Sequence, residues 1–477
     1  MKPYTMIALA LGALSLSSCT VGPDYERPAM SPPQDFVAGE VLEALNAGKD
    51  QALPVGANWW EGFNDPILND LIETGLEENF EIAAAMARVK AARARIGLTG
   101  SADNLFIGTD AGGDIEERRE LNPDSSSETT TSFSAGLGIG LPLDIFGRTR
   151  RDVERARAAL QSALAELRGI VLFVSSDIAD EYLSLRGNQR QLELLRESVD
   201  LQEQTLSIVR TRYESGLSPE LDVQRATSSV ESLRAQIPPL EENLQNSRNE
   251  LATLSGEFPG AFEELLTPAQ DIPLYSARIP DALPLEVLNA RPDVAQSEAD
   301  LKAAIAAIGV AEAEFYPSFD LAANLTFGRT GVSSMNPTEV LIGSLSAIIQ
   351  QVITDGGARS ANREIAEAQA EEALAAYEFT LRNAVQEIEA SLNAIRASAA
   401  RQDSLTKAVQ ASQRSFSQAE TLYRQGLISF LDVVDAQQDL ASDEQSLASE
   451  RTDYAREIAT LFNVLGAEIN TEPKTAE

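Results

Sequence analysis

Two aspartates near the end of the chain, Asp432 and Asp435, stand where carboxylates could act together. They are three residues apart near the start of a helix predicted at 430–465, so they share one face of that helix. Carboxylates in a first helical turn are favourable by about 0.3–1 kcal/mol, which is one sufficient reason for their presence. Whether they also act on a solute depends on the elements around them.

The rest of the composition excludes most other chemistry. The chain has 477 residues, no His and one Cys, Cys19. This excludes His-based acid–base chemistry, His metal sites and any disulfide within the chain. The sequence has no phosphate-binding Gly-Lys-Ser/Thr loop and no nucleophile elbow, so we predict neither an enzyme nor a bound cofactor. A formal net charge of −35 argues against a nucleic-acid partner.

The chain contains an internal duplication of one structural unit. Residues 213–226 and 423–436 share seven identical positions at a constant offset of 210. The identical pairs are Tyr213/Tyr423, Gly216/Gly426, Leu217/Leu427, Leu221/Leu431, Asp222/Asp432, Val223/Val433 and Ala226/Ala436. Each repeat is predicted to run helix, strand region, very long helix, Gly-Leu turn and helix. Asp435 aligns with Arg225, so the second carboxylate belongs to the second repeat alone.

The N-terminus resembles a bacterial lipoprotein signal. A short positive start with Lys2 precedes a mostly apolar run at 6–16 and then Leu16-Ser17-Ser18-Cys19. We expect cleavage before Cys19 and a covalent lipid on it; a plain secretory signal and a free structural Cys are the alternatives. Thr20, rather than Asp, follows the cysteine, which by resemblance to sorted lipoproteins indicates the outer membrane.

The predicted helices are unusually long. Residues 358–425 contain neither Gly nor Pro, and a continuous helix of that length would reach roughly 100 Å. Such lengths are typical of coiled coils and helical barrels. Pro238-Pro239 should kink the helix predicted at 219–254, whereas the equivalent Ala448-Ser449 predicts no kink. No stretch of 18 uncharged apolar residues follows the N-terminal run, so no transmembrane helix is expected there.

Two segments alternate between apolar and small or polar residues with a period of two. They lie at 132–143 and 319–328, and less regular partner strands are predicted at 103–113 and 340–353. A soluble hairpin packed on helices is one interpretation. Strands of roughly ten residues, a long polar loop and the lipoprotein signal favour outer-membrane strands. Four strands cannot close a membrane barrel, and the smallest have about eight, so the chain must then oligomerise.

Several motifs in order carry a family resemblance. They are Trp59-Trp60, Phe63 and Asp65-Pro66; the stretch 142–148, Pro-Leu-Asp-Ile-Phe-Gly-Arg; the stretch 290–294, Ala-Arg-Pro-Asp-Val; and the stretch 315–318, Phe-Tyr-Pro-Ser. With the duplicated Gly-Leu turn, the chain resembles the TolC-like outer-membrane efflux family over about residues 19–470. It is most similar to the lipoprotein (NodT-type) branch that serves resistance-nodulation-division pumps. Residues 352–359 depart from the family, which usually carries a Pro and a Phe before the Asp-Gly-Gly.

The resemblance implies the fold class and the partners. The fold would be mainly α with a small membrane β part: a long-helix α-barrel plus four strands per protomer that complete a trimeric 12-stranded β-barrel. The homotrimer would sit in the outer membrane, lipid-anchored, with a long periplasmic extension. It would passively conduct drugs or other small toxic compounds as the exit duct of a tripartite system. A periplasmic adaptor (membrane fusion protein) and an inner-membrane pump would be its partners.

The resemblance also implies roles for particular residues. Acidic positions line the periplasmic entrance of related channels, so Asp432 and Asp435 would form two negative rings that attract cations. A basic latch residue of some relatives is replaced here by Ile428, which leaves Tyr423 and Arg424 as candidate gate contacts. The residues expected to contact the adaptor at the two hairpin tips are Gly216, Leu217, Ser218, Gly426, Leu427 and Ile428.

The predicted organisation divides the chain into six parts. The signal peptide is 1–18, and the acylated N-terminal and equatorial segment is 19–66. The first repeat, 67–255, contains helix 67–98, strands 103–113 and 132–143, long helix 147–215 and helix 219–254. After the linker 256–283, the second repeat, 284–466, contains helix 284–314, strands 317–328 and 340–353, long helix 358–425 and helix 430–465. The tail is 467–477.

Two other functions stay open: a duct for type I protein secretion, and a lipid-anchored periplasmic coiled-coil scaffold without a pore.

Overall fold

The computed structural model describes residues 20–29, 33, 35–47, 58–119, 128–279, 284–332, 337–467 and 469. The predicted signal peptide 1–18 and Cys19 lie outside the described residues. The chain divides into two compact units. Unit 1 comprises Met1–Ala29, Arg88–Leu164 and Gln296–Glu378, and unit 2 comprises Met30–Ala87, Ala165–Ala295 and Phe379–Glu477.

In unit 1 the strands form one antiparallel sheet in the order β1-β2-β3-β4. The strands are β1 Phe106–Arg118, β2 Glu128–Leu143, β3 Ser318–Val332 and β4 Thr338–Gln350. Since β1 and β4 are the outer members of this order, each has one edge without a partner strand among the described residues of the protomer.

The strand ends differ from those predicted. β1 and β2 stay paired as far as Arg118 opposite Glu128, and β3 continues to Val332, beyond the predicted limits of 113, 132 and 328. Ladder hydrogen bonds join backbone groups, so polar side chains do not end a strand by themselves. At the other end β1 begins at Phe106 and β4 stops at Gln350, inside the predicted limits of 103 and 353.

The register of the sheet places most apolar side chains of β2 and β3 on one face. Leu137 of β2 lies opposite Leu325 of β3, and Phe327 lies opposite Leu341 of β4. No residue of the four strands is buried in the protomer, and Leu345 is 85% exposed. A soluble hairpin would bury this face against helices. The exposed apolar face instead requires another covering.

In both repeats a hydrogen-bonded Asp–Arg pair joins a strand to the long helix that follows it. An Asp after the strand accepts hydrogen bonds from the backbone amide and the Nε of an arginine in the first helical turn. The pairs are Asp144 with Arg150 (both 3.1 Å) and Asp355 with Arg359 (3.0 and 2.7 Å). These hydrogen bonds from Arg359 lower the pKa of Asp355 to about 2. The departure at 352–359 therefore keeps the capping carboxylate at this junction.

Residues 20–27 are held against the other segments of unit 1. The guanidinium of Arg151 donates to the carbonyl oxygens of Val21 (3.0 Å) and Gly22 (2.9 Å). Gly22 has φ +89° and lies on Gly309, where a Cβ would come within 2.4 Å of the Gly309 Cα. The chain directly after position 19 thus has a fixed path.

The helices of the described part are α1 Gly39–Asn46, α2 Pro66–Glu78, α3 Phe80–Gly100, α4 Arg148–Glu214, α5 Glu220–Arg234, α6 Ile237–Leu254, α7 Glu263–Leu266, α8 Pro284–Ala290, α9 Pro292–Ala313, α10 Ala358–Arg424 and α11 Phe430–Leu465. The two long helices have 67 residues each. The helix predicted at 219–254 is interrupted between Arg234 and Ile237, just before Pro238-Pro239, whereas α11 is continuous as predicted.

Two helices predicted as single are broken. The helix at 67–98 is interrupted at Asn79, whose backbone is extended and whose Oδ1 accepts from the amides of Glu81 (2.8 Å) and Ile82 (3.2 Å). The helix at 284–314 is interrupted at Arg291, because the residue before a proline disfavours the helical conformation. The first break is a capping effect and the second follows from Pro292; apolar periodicity revealed neither.

The core of unit 2 is built around an aromatic cluster. Trp59 stacks on Phe462 with ring centroids 5.3 Å apart, and Trp60 is fully buried. α4 contributes Ile178 and Leu183 to this core. By length and composition alone, α4 has a stretch apolar enough to cross a membrane. Core helices pass this test as well, so the prediction that the mature chain has no transmembrane helix stays a prediction.

Candidate functional site

The hairpin tips are two turns, 215–219 and 425–429, with the helix ends that flank them. The buried residues beside these turns form one apolar group, which we name the tip cluster. Its members are Leu206, Val209, Ala226, Val230, Phe416, Tyr423, Phe430, Val433, Val434, Ala436 and Leu440. They come from α4, α5, α10 and α11, so both repeats build a single core next to the turns.

Both turns use the same C-cap. Gly216 has φ +74° and Gly426 has φ +77°, a conformation that glycine adopts without a Cβ penalty. Leu217 donates its amide to the Arg212 carbonyl (2.8 Å), and Leu427 donates to the Leu422 carbonyl (3.0 Å). This six-residue closure is a Schellman motif. The chain reverses within the five residues of each turn, and the leucine after each glycine lies outside the helix.

The leucines at the turns are solvent-exposed in the protomer. Leu217 is 70% exposed and Leu427 is 67% exposed, and Leu221 and Leu431 in the next helical turns are also exposed. Ile428 differs, since it is half-buried against the tip cluster. Of the six residues predicted for adaptor contact, Leu217 and Leu427 thus present apolar surface, while Ile428 belongs largely to the core.

Asp432 has a local structural role. It is the third residue of α11, and its carboxylate accepts hydrogen bonds from the Ser429 amide (2.8 Å) and hydroxyl (2.7 Å) in a capping box. These hydrogen bonds lower the pKa of Asp432 and keep it ionised. Asp222 stands at the same place in the first repeat and accepts from the Ser218 hydroxyl (2.7 Å). A hydrogen bond from a nearby serine hydroxyl therefore accounts for the aspartate that both repeats share, and only in the second repeat is it part of a capping box.

Asp435 has no such local explanation. It lies one turn after Asp432, and both side chains are exposed in the protomer. Its counterpart Arg225 shows that the fold of the repeat does not demand a carboxylate there. In the described part of the chain, no group of three or more His, Cys, Asp or Glu is placed to hold a metal ion.

Tyr423 is buried rather than displayed at the turn. The guanidinium of Arg212 lies over its ring at 4.8 Å and donates to its backbone carbonyl (3.1 Å). Burial raises the pKa of the Tyr423 hydroxyl. Arg424, by contrast, is exposed and pairs with Glu420 of its own helix. Of the two candidate gate contacts, Tyr423 links the repeats and Arg424 does not.

Arg212, which contacts Tyr423 at the tips, was not among the residues predicted from the sequence. Its repeat counterpart is Leu422, so a charged residue replaces an apolar one at an equivalent position. This difference between the two repeats was the sequence signal that could have identified Arg212. Its partner could not be read from the sequence, because Arg212 and Tyr423 are 211 residues apart.

Comparisons with known proteins agree with this architecture. The family model described as outer membrane efflux protein matches residues 71–257 and 283–467. Nodulation protein T of Rhizobium leguminosarum bv. viciae is 30% identical over 457 residues, covering 94% of this chain and 91% of that protein. The cation efflux system protein CusC of Escherichia coli O6:H1 is 30% identical over 469 residues, covering 98% and 99%.

Solved structures agree as well. The outer-membrane channel OprN superposes with a TM-score of 0.86 at 28% identity, over 94% of this chain and 100% of that one. The predicted fold class, mainly α with four strands per protomer that complete a trimeric β-barrel, is confirmed, and so is the prediction of a channel rather than an enzyme. The chain is a member of the outer membrane efflux protein family and is located in the outer membrane.

Proposed function

We propose that this chain is the exit duct of a tripartite efflux system and passively conducts drugs or other small toxic compounds to the exterior. The observation that carries the proposal is the sheet with an exposed apolar face and unpaired β1 and β4 edges. Backbone groups without partners cost several kcal/mol each in hydrocarbon, as an order of magnitude. Pairing β4 of one protomer with β1 of the next removes every such edge, and three copies give a closed barrel.

Purified protein in a planar bilayer tests the duct directly. We expect discrete conductance steps from the trimer. A trimer that never conducts would contradict the duct and favour a scaffold. A strain without this chain should become susceptible to small toxic compounds; unchanged susceptibility together with loss of a secreted protein would indicate type I secretion instead. The relative that exports cations supports a small cargo.

Residues 20–27 support a lipid anchor at Cys19. Thr20 lies against Gly147, four residues beyond the end of β2 at Leu143. A lipid on the preceding residue would start where the apolar face of the sheet ends. Each buried methylene of an acyl chain would add about 0.8 kcal/mol of membrane affinity. Mass spectrometry of the mature protein should find Cys19 as the acylated first residue.

We expect the carboxylates Asp432 and Asp435 to set the ion preference of the periplasmic entrance. Three copies would make two negative rings, which favour cations. Asp435→Ala should reduce the cation preference measured as a reversal potential in a salt gradient. Asp432→Ala with Asp435→Ala should reduce it further and raise conductance. Asp222→Ala, which removes only the equivalent aspartate of the other repeat and its hydrogen bond from Ser218, is the control for local loosening of a turn. An unaltered reversal potential in the double variant would remove both residues from the gate.

The exposed leucines at the turns fit the helical hairpins of a periplasmic adaptor. Leu427→Asp places a charge in that apolar contact, so adaptor binding in pull-down experiments should fall about tenfold or more, as for a central hot-spot residue. Gln425→Asp adds the same charge to the same exposed turn without removing apolar surface and should bind normally. Equal binding by the two variants would contradict docking through Leu427.

A further inference from the structure

The face of the sheet opposite the apolar face carries several carboxylates, and we name it the inner face. Side chains alternate between the two faces along a strand, so residues paired with Gly136 of β2 share its face. The row across the sheet at this height is Asp110, Gly136, Thr326 and Ile342. From the helix end of the strands outwards, the ionisable residues of the inner face are Asp320, Asp110, Asp114, Glu116 and the opposed pair Arg118 and Glu128. Within the four strands, the inner face therefore carries only carboxylates until the pair at its outer end.

Asp110 lies flat against the neighbouring strand. Gly136 is directly opposite it, and a Cβ on that glycine would stand 2.6 and 3.0 Å from the two carboxylate oxygens of Asp110. From the other side of β2, the Oδ1 of Asn324 lies over Gly138, 3.0 Å from the place of a Cβ. The two side chains thus occupy the space that the missing side chains of β2 leave free. The carboxylate of Asp110 is consequently held along the wall of the sheet rather than away from it.

A matched glycine shows that this contact is particular to its position. Gly140 is on the same strand and the same face, between Phe106 and Ala322, and nothing lies within 4 Å of the place where its Cβ would stand. The absence of a side chain on β2 does not by itself draw a neighbour over the glycine. The space above Gly136 is filled by a charged group, whereas the space above Gly140 is open.

We propose that Asp110 determines the charge preference of the β-barrel half of the duct, and that Gly136 sets how far its carboxylate stands from the wall. The apolar face meets lipid, so the inner face lines the lumen, and the three-fold symmetry of the trimer places three copies of Asp110 at one height. A ring of aspartates attracts cations and resists anions. The proposal rests on the proposed function, since it treats the sheet as the wall of a conducting duct. The cargo that this lining suits is a small solute with a net positive charge.

The contact with Gly136 matters because it keeps the charge off the axis of the duct. A side chain at position 136 would take the place of the carboxylate, so Asp110 would turn from the wall towards the lumen. The three charges would then come closer to a passing ion, and the Coulomb energy rises as that distance falls. Such a duct would discriminate more strongly between charges and would be narrower. The glycine therefore favours flux at the expense of discrimination.

The first test removes the charge and keeps the shape of the side chain. Asp110→Asn in the full trimer should lower the cation-to-anion permeability ratio, measured in planar bilayers under a salt gradient. A fall of about twofold is expected for three carboxylates partly screened by salt. Glu117→Gln is the control, because Glu117 is a carboxylate of the same strand on the opposite face, and its ratio should equal that of the parent. An unchanged ratio in a conducting Asp110→Asn trimer overturns the role of Asp110.

The second test moves the charge without removing it. Gly136→Ala should raise the permeability ratio and lower the conductance, whereas Gly140→Ala adds the same methyl group to open space and should change neither. In the Asp110→Asn background, Gly136→Ala should no longer raise the ratio, because residues in contact are not additive. Equal effects of the two alanine variants would overturn the part assigned to Gly136.

A third test needs no current and so separates this inference from the duct itself. Thr326→Cys places a thiol in the row of Asp110 and Gly136. Its reaction rates with a cationic and an anionic methanethiosulfonate reagent, followed by mass spectrometry of the segment around 326 in the purified trimer, report the local potential. Asp110→Asn should lower the ratio of the cationic to the anionic rate, and an unchanged ratio overturns the placement of this charge in the lumen. A parent trimer that never conducts overturns the duct, while a lowered rate ratio still supports the charged ring.

Discussion

An arginine in place of Leu325 should prevent the chain from assembling in the outer membrane. Leu325 is in the middle of β3, opposite Leu137 of β2 and Gly343 of β4, on the exposed apolar face of the sheet. A cation on the lipid face near the bilayer midplane costs about 2–4 kcal/mol in a β-barrel. A trimer would carry three copies, so the loss is comparable with the whole stability of an ordinary domain.

The neighbouring residue supplies the matched control. Thr326 follows Leu325 in the same strand, so its side chain points to the opposite face, and its register partners are Gly136 and Ile342. Thr326→Arg should insert and form trimers, and should lower cation conductance. Trimer bands on unheated gels of outer-membrane fractions give the measurement for both variants. Equal trimer yields would show that the apolar face does not contact lipid.

The sheet was predictable because its signal is local. A period-two alternation at 132–143 and 319–328 specifies both the strands and the face that meets lipid. Where the strands end was not predictable, since the pairing of Arg118 with Glu128 is a property of two partners and of neither segment alone. The helix breaks at Asn79 and Arg291 were missed for a related reason. Apolar periodicity continues across both positions. A capping asparagine separates the first two helices, and the proline that follows Arg291 separates the other two.

The hairpin tips also combine features that the sequence predicted with features that it could not predict. The glycines at 216 and 426 predicted the reversal of the chain, because a helix that ends in a tight turn needs a residue in the left-handed conformation. The burial of Tyr423 under Arg212 depends on a contact between distant segments. The sequence also could not separate the roles of Asp432 and Asp435. The capping hydrogen bonds from Ser429 account for the first and leave the second available for the entrance.

The stability of unit 2 should depend strongly on Arg291, from the motif Ala-Arg-Pro-Asp-Val. This side chain is 7% exposed, and its Nη1 donates to the Val464 carbonyl (2.7 Å) at the end of α11. Its Nη2 donates to Asp293 (2.7 Å) and to Glu387 of α10 (2.6 Å). One guanidinium therefore fixes α9, α10 and the end of α11 together.

Arg291→Ala should destabilise the fold by about 2–3 kcal/mol, measured as the free energy of unfolding in guanidinium chloride. Breaking a fully buried ion pair costs about 3–5 kcal/mol, and the value here is smaller because Asp293 and Glu387 remain partly exposed to water. Arg396→Ala is the control: its pair with Glu40 is exposed on both sides, so the loss should stay below about 1 kcal/mol. Equal losses in the two variants would mean that Arg291 acts only as another surface charge, and that aromatic packing around Trp59 and Phe462 holds these helices without it.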